Sequence, residues 1–103
     1  MAICQIYYHP ELDEQQWAKL DQDVRATGPV PAEGGHLVVA GRADGRWCVI
    51  TVWDSEEARD GFFSERLAPA YERGGLSLEN AERTVFDVHT LIAGDLTGTP
   101  QSV

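Results

Sequence analysis

The chain has 103 residues and a formal net charge of −9 at pH 7, from 17 Asp and Glu against 8 Lys and Arg. This length supports one domain with a modest core. The acidity argues against nucleic acid and anionic membrane surfaces as partners, and no apolar run approaches the ~18 residues of a membrane-spanning helix.

Two cysteines, Cys4 and Cys48, are too few for a disulfide framework or a cysteine-rich zinc site. The N-terminus lacks a basic stretch followed by an apolar one. We therefore expect a cytoplasmic domain with free thiols and no bound metal.

The first half of the chain alternates strand and helix patterns. Residues 2–9 are rich in β-formers and predict a strand that ends at Pro10. Residues 11–27 carry a helical apolar stripe, which the Gly28-Pro29 pair ends. Residues 30–35, with one Pro and two Gly, predict a loop.

A hairpin follows, because Asp44-Gly45 separates two β-rich runs, residues 36–43 and 46–53. If these two residues form the turn, His36 opposes Trp53 and Arg42 opposes Trp47. The second helix spans residues 55–74, with a kink near Ala68 caused by Pro69.

A fourth strand over residues 83–93 completes the order β-α-β-β-α-β. Two right-handed crossovers and a hairpin then give a four-stranded antiparallel sheet in the order 4-1-3-2, with both helices on one face. This is a ferredoxin-like α+β fold. We expect one domain over residues 1–93 and a flexible polar tail over residues 94–103.

The predicted strands are apolar on both sides. One face carries Cys4, Ile6, Tyr8, Leu37, Val39, Gly41, Cys48, Ile50, Val52, Phe86, Val88, Thr90 and Ile92. The other carries Ile3, Gln5, Tyr7, His9, His36, Val38, Ala40, Arg42, Trp47, Val49, Thr51, Trp53, Val85, Asp87, His89 and Leu91. Two helices cover only one face, so we expect a second copy of the sheet on the other, making a homodimer. The alternative is a moderately apolar exposed face.

The segment over residues 36–69 resembles the antibiotic-biosynthesis monooxygenase domain, in its small stand-alone actinobacterial form. The resemblance is carried by the run before the Asp-Gly turn, by residues 47–58 after it, and by residues 62–69. It implies a dimeric ferredoxin-like α+β barrel. The superfamily includes cofactor-independent oxygenases, heme degraders, isomerases and cyclases.

Two catalytic patterns of that superfamily are missing from this chain. The quinone-forming oxygenases and the heme degraders use an Asn on a strand or early helix, whereas the single Asn here, Asn80, falls in a loop. Residues 55–74 contain no His to serve as a heme ligand. No nucleotide-binding glycine loop is present. We therefore expect no cofactor.

Three residues are candidates for catalysis. His36 is a candidate general base or ligand hydrogen-bond partner, and His89 shares its predicted face. Asp87 lies two residues before His89 and would orient an imidazole or activate a substrate hydroxyl. The alternatives are a half-buried edge histidine and a solvated or paired carboxylate. His9, beside Pro10, is expected on the surface.

Candidate substrate-binding residues are mostly aromatic: Trp53, Thr51, Tyr7, Phe62, Phe63 and Tyr71. They either line a pocket for a small flat aromatic ligand between helices and sheet, or belong to an ordinary core. Phe62 and Phe63 are adjacent and are not expected to face inward together. The sequence leaves open a cofactor-independent monooxygenase or cyclase and a non-catalytic dimeric ligand-binding or accessory protein.

Overall fold

The computed structural model describes residues 1–92 and 94. Within them the chain forms four strands and three helices, and one π-helical turn joins the second helix to the third. The strands are β1 (Ile3–His9), β2 (Gly35–Ala43), β3 (Arg46–Trp53) and β4 (Glu82–Asp87), and the helices are α1 (Glu14–Ala26), α2 (Glu56–Phe62) and α3 (Ala68–Arg73). No helix in the described ranges is long and apolar enough to cross a membrane.

The strands form one antiparallel sheet in the order β2-β3-β1-β4. This is the predicted order 4-1-3-2 read from the other edge, so the ferredoxin-like α+β prediction is confirmed. The two central strands are aligned over their whole length, from Ile3 opposite Trp53 to His9 opposite Trp47.

The predicted hairpin forms at Asp44-Gly45, where both residues have positive φ, 52° and 77°. That conformation is the type I′ turn, which glycine adopts without steric cost. The register holds from Ala43 opposite Arg46 to Leu37 opposite Val52.

Beyond Leu37 the hairpin register shifts, and Gly35, not His36, lies opposite Trp53. The predicted pairing of His36 with Trp53 is therefore wrong. The physical reason is an irregularity of one residue, which moves His36 out of the ladder. A Cβ on Gly35 would lie 3.2 Å from a carbon of the Trp53 ring, so the backbone approaches the indole closely here.

Helix α1 begins at Glu14, three residues later than predicted, because Asp13 and not the strand end provides the cap. The Asp13 side chain accepts from the Gln16 backbone N–H while the Gln16 side chain accepts from the Asp13 N–H. This reciprocal capping box satisfies two backbone donors that a helix start leaves free.

The second predicted helix is divided into three pieces. Helix α2 is capped by Ser55 and ends at Phe62, the π turn spans Phe63–Leu67, and α3 starts at Ala68. Pro69 explains the break near Ala68: it has no backbone N–H, and its ring clashes with the carbonyl four residues earlier in an α-helix. The wider π turn moves that carbonyl away.

Strand β4 ends at Asp87, earlier than the predicted limit of residue 93. His89 therefore lies beyond the ladder. The predicted flexible tail over residues 94–103 lies outside the described residues except for residue 94, and the single domain over 1–93 stays a prediction.

The helices cover one sheet face, and three aromatic pairs fix which one. Trp17 of α1 contacts Trp47, Phe62 of α2 contacts Trp53, and Tyr71 of α3 stacks on His9. The opposite face carries Val39 and Phe86, exposed to 47% and 50%. No helix of the described chain packs against that face.

Candidate functional site

A partly enclosed cavity of about 140 Å³ lies between the helix-covered sheet face and the helices. Its floor comes from β1 and β3, and its roof from α1, α2, the π turn and α3. Most of the lining is apolar or aromatic, which is typical of small-molecule sites. The loop between α1 and β2 closes one wall with Val30, Pro31 and Ala32.

All six predicted substrate-binding residues line this cavity. Trp53 is buried at the end of β3, and its ring meets Phe62 at a centroid distance of 5.3 Å. The indole N–H of Trp53 donates to the Thr51 hydroxyl over 2.9 Å. This internal hydrogen bond orients the Trp53 ring on the cavity wall.

Phe62 and Phe63 both line the cavity, contrary to the expectation that adjacent residues would not. The change from α-helix to π turn falls between them. Both side chains are half-buried, so each contacts the cavity and remains partly exposed.

Tyr7 and Tyr71 bring two phenols to the same cavity from β1 and α3. Burial disfavours the phenolate, and the neighbouring Tyr7 adds to this, so the pKa of Tyr71 is raised to about 12. At neutral pH the Tyr71 hydroxyl is therefore protonated and acts as a hydrogen-bond donor.

His9 is a titratable cavity residue that the sequence did not predict. It was expected on the surface beside Pro10, yet it is only 4% exposed and lines the cavity. Its Nε2 lies 3.0 Å from the Ser77 carbonyl, and its ring stacks on Tyr71 at 6.0 Å. The available signal was alternation, because His9 shares its face with Gln5 and Tyr7.

His36 lies outside the cavity lining, at the irregularity in β2. Its Nε2 pairs with the Asp54 carboxylate, and both side chains are substantially exposed, 49% and 63%. The sequence did not predict this partner. The shifted register places it beside the start of α2.

Asp87 and His89 are also exposed and are not among the residues that line the cavity. His89 bonds to the hydroxyl of its neighbour Thr90. The structure therefore does not bring His36, His89 and Asp87 together at the cavity, and their catalytic role stays a prediction.

Four charged side chains stand at the cavity margin: Asp21, Arg59, Asp60 and Arg83. The side chain of Arg59 is only 12% exposed and donates to Asp60. Asp21 accepts from Arg25 one turn along α1. Among residues 1–92 and 94, no cluster of three or more His, Cys, Asp and Glu is arranged to hold a metal ion.

This architecture is the one found in antibiotic biosynthesis monooxygenase domains, and the predicted resemblance is confirmed at the level of the fold. Rv0793 of Mycobacterium tuberculosis is similar with a TM-score of 0.67 and 17% identity, over 90% of this chain and 100% of that one. A candidate antibiotic biosynthesis monooxygenase from Chloroflexus aurantiacus J-10-fl gives 0.58 and 20% identity, over 90% and 100%.

SnoaB of Streptomyces nogalater, a cofactor-independent oxygenase solved as a point variant, is similar with a TM-score of 0.56 and 15% identity. The match covers 90% of this chain and 97% of SnoaB. No protein-family model and no curated protein matches the sequence. At these identities the likeness establishes the fold.

Proposed function

We propose that the protein binds a small aromatic molecule in the cavity and acts on it as a cofactor-independent monooxygenase or cyclase. The observation that carries this proposal is the apolar cavity itself, whose lining combines aromatic rings with two phenols and a buried imidazole. A flat ligand gains most from such walls, because ring-on-ring contacts add to the burial of apolar surface.

The cavity volume limits the ligand. Its size, about 140 Å³, is close to that of an engineered apolar cavity of ~150 Å³ that binds benzene. A ligand with one aromatic ring therefore fits inside. A fused polyketide-like skeleton would have to extend through the cavity mouth.

Turnover without a cofactor requires that the substrate itself supply the electrons that reduce dioxygen. Electron-rich rings such as phenols meet this requirement better than plain arenes. The neutral Tyr71 hydroxyl is suited to donate a hydrogen bond to a substrate oxygen that gains negative charge. SnoaB, described as a cofactor-independent oxygenase, shares the fold, which favours this chemistry over a cofactor-bound one.

A second candidate function is a non-catalytic dimeric ligand-binding or accessory protein. One observation favours it: His36, His89 and Asp87, the predicted catalytic residues, are exposed and do not line the cavity. Under this alternative the cavity binds its ligand and releases it unchanged.

The proposal includes a homodimer. Val39, Ile50 and Ile6 form a continuous cross-strand apolar row on the sheet face away from the helices. Apolar rows of this kind on an antiparallel sheet are normally covered. In a dimer related by a two-fold axis, the apolar row of one copy would pack against the same row of the other copy.

Oxygen-electrode measurements with single-ring phenols, in buffer without flavin, heme or added metal, test the catalytic proposal. We expect substrate-dependent oxygen uptake that falls in Val49→Phe, since Val49 lines the cavity and a larger side chain reduces its volume. Ala18→Phe, on the exposed surface of α1 and outside the cavity lining, is the control.

Saturable binding without oxygen uptake or any change in the ligand would instead establish the non-catalytic alternative. Absence of binding in the wild-type protein would contradict both functions.

A further inference from the structure

Three buried side-chain atoms have no hydrogen-bond partner among the described residues: Gln5 Oε1, His9 Nδ1 and Trp47 Nε1. Two of them belong to directly opposed residues, since His9 of β1 lies opposite Trp47 of β3. A buried polar group left unpaired is costly, because it has lost its hydrogen bonds to water. Two such groups side by side therefore call for an explanation.

The two atoms have opposite hydrogen-bonding character. The Trp47 indole N–H is only a donor. His9 Nε2 lies 3.0 Å from the Ser77 carbonyl, which only accepts, so this nitrogen carries the ring hydrogen. In the neutral ring Nδ1 is then a bare acceptor. A donor and an acceptor thus lie on neighbouring strands of the same sheet face, yet they do not bond to each other.

A chemical group that pairs with both atoms must accept a hydrogen bond from Trp47 Nε1 and donate one to His9 Nδ1. A hydroxyl does both. A carboxylate has no hydrogen to give to Nδ1, an ammonium has no lone pair for the indole N–H, and a hydrocarbon offers neither.

We infer that His9 and Trp47 form a hydroxyl-recognition pair, in which a ligand hydroxyl donates to His9 Nδ1 and accepts from Trp47 Nε1. The inference rests on the proposed function and specifies its substrate class as a single-ring phenol or a similar aromatic alcohol.

One member of the pair, His9, lines the cavity, and the other, Trp47, contacts a residue that does. His9 lines the cavity and stacks on Tyr71, while Trp47 packs against Trp17, which also lines it. Both members of the pair are nearly closed to bulk solvent, with exposures of 4% and 7%. In this proposal the ligand ring lies beside Tyr71 and Trp17, and its hydroxyl lies between the two ring nitrogens.

The test compares phenol with toluene, which have nearly the same shape and differ in the hydroxyl. A wholly apolar cavity prefers toluene, because phenol loses hydrogen bonds to water on entry. A site built to pair the hydroxyl reverses this order. Titration calorimetry on the wild-type protein should give phenol an affinity at least ~10-fold higher, corresponding to about 1.4 kcal/mol.

Two substitutions remove one side of the pair at a time. His9→Phe keeps an aromatic ring against Tyr71 but has no hydrogen-bond acceptor, and Trp47→Phe keeps an aromatic ring but loses the N–H. In each, the preference for phenol should fall roughly to parity, with toluene affinity changed less than about threefold. His36→Gln, an exposed histidine outside the cavity lining, should keep the wild-type preference.

Each other outcome contradicts part of the account. Equal wild-type affinities would mean that the cavity does not recognise the hydroxyl, and a phenol preference that survives both substitutions would mean that another group recognises it. Then the hydroxyl inference fails while the cavity remains a ligand site. Failure of both compounds to bind would overturn the proposed function as well. If His9→Phe does not fold, as judged by thermal unfolding, Trp47→Phe decides alone.

Discussion

Tyr71 shows how burial controls a single side chain at the cavity. It belongs to the buried cluster with Leu20, Val24 and Ala70 and is 9% exposed. Because the phenolate is poorly solvated there and Tyr7 is close, the pKa of Tyr71 is raised to about 12. The folded protein therefore holds this proton more tightly than the unfolded chain does.

The raised pKa predicts a loss of stability in alkaline solution. Below pH 10, the ordinary value, the phenol is protonated in both states and the stabilisation is fully present. Between pH 10 and about 12 only the unfolded chain ionises at this position, so the free energy of unfolding falls by up to ~1.4 kcal/mol per pH unit.

Urea unfolding at a series of pH values measures this slope, and Tyr71→Phe should reduce it in that window. An unchanged slope in the variant would contradict the assignment.

The substrate-binding residues predicted from the sequence line the cavity, whereas the predicted catalytic residues do not. Strand alternation and aromatic clustering were enough to select Tyr7, Thr51, Trp53 and Tyr71. His36 was misplaced because a one-residue irregularity in a strand leaves no mark in an alternating pattern. His9 was missed because the adjacent Pro10 suggested an exposed strand end, while its burial depends on a partner, Ser77, that is 68 residues away.

At the scale of elements, the π turn positions one side chain that joins two cavity walls. Arg66 donates to the backbone carbonyls of Val24, Gly28 and Pro29 and to the Thr27 hydroxyl, over 2.8–3.0 Å. Its guanidinium also lies 5.1 Å from the centre of the Phe62 ring. The end of α1 and the loop that follows are thereby tied to the π turn.

Arg66→Lys is expected to lower the free energy of unfolding by roughly 2 kcal/mol, since one ammonium replaces a planar group with five donors. Chemical denaturation measures the loss. The matched control is Arg73→Lys, at an exposed ion pair with Asp23, where the change should be much smaller. Equal effects of the two substitutions would show that the contacts of Arg66 are not specifically stabilising.

The sequence predicts where the second helix is interrupted, but it does not predict that the interruption is a π turn. Pro69 predicts that an α-helix does not continue unchanged past Ala68. Whether the chain then bends, stops or widens into a π turn depends on contacts such as those of Arg66 with the α1 end. Those contacts join residues 37–42 positions apart, and no local pattern encodes them.

At the scale of the whole molecule, the sheet separates the face that carries the cavity from the face on which we propose the dimer. The sequence predicted apolar residues on both faces but did not decide which face meets the helices. The aromatic pairs decide it, because bulky Trp and Tyr side chains fill the space under the helices. The opposite face carries Val39, Ile50, Ile6 and Phe86, and on it we propose the dimer.

Val39→Lys tests the dimer. Val39 is the β2 member of the uncovered apolar row, opposite Ile50 and 47% exposed, so a charge there would be buried without a partner in the dimer. Sedimentation equilibrium at micromolar concentration should give about twice the 11.4 kDa chain mass for the wild type and the single-chain mass for the variant.

Ala18→Lys, on the exposed surface of α1, should leave the dimer intact. A wild-type protein that sediments as a monomer would contradict the proposal. A Val39→Lys variant that dimerises as strongly as the wild type would also contradict it. The interface that we propose buries ~1,000 Å² or more in total.

The most direct test of the central claim is a crystal structure of the wild-type protein with 4-iodophenol, using the anomalous signal of iodine to locate the ligand. The account predicts an iodine peak inside the cavity, with the ring among Trp17, Phe62 and Tyr71 and the hydroxyl oxygen between His9 Nδ1 and Trp47 Nε1. An empty cavity beside iodine peaks only on the outer surface would contradict it.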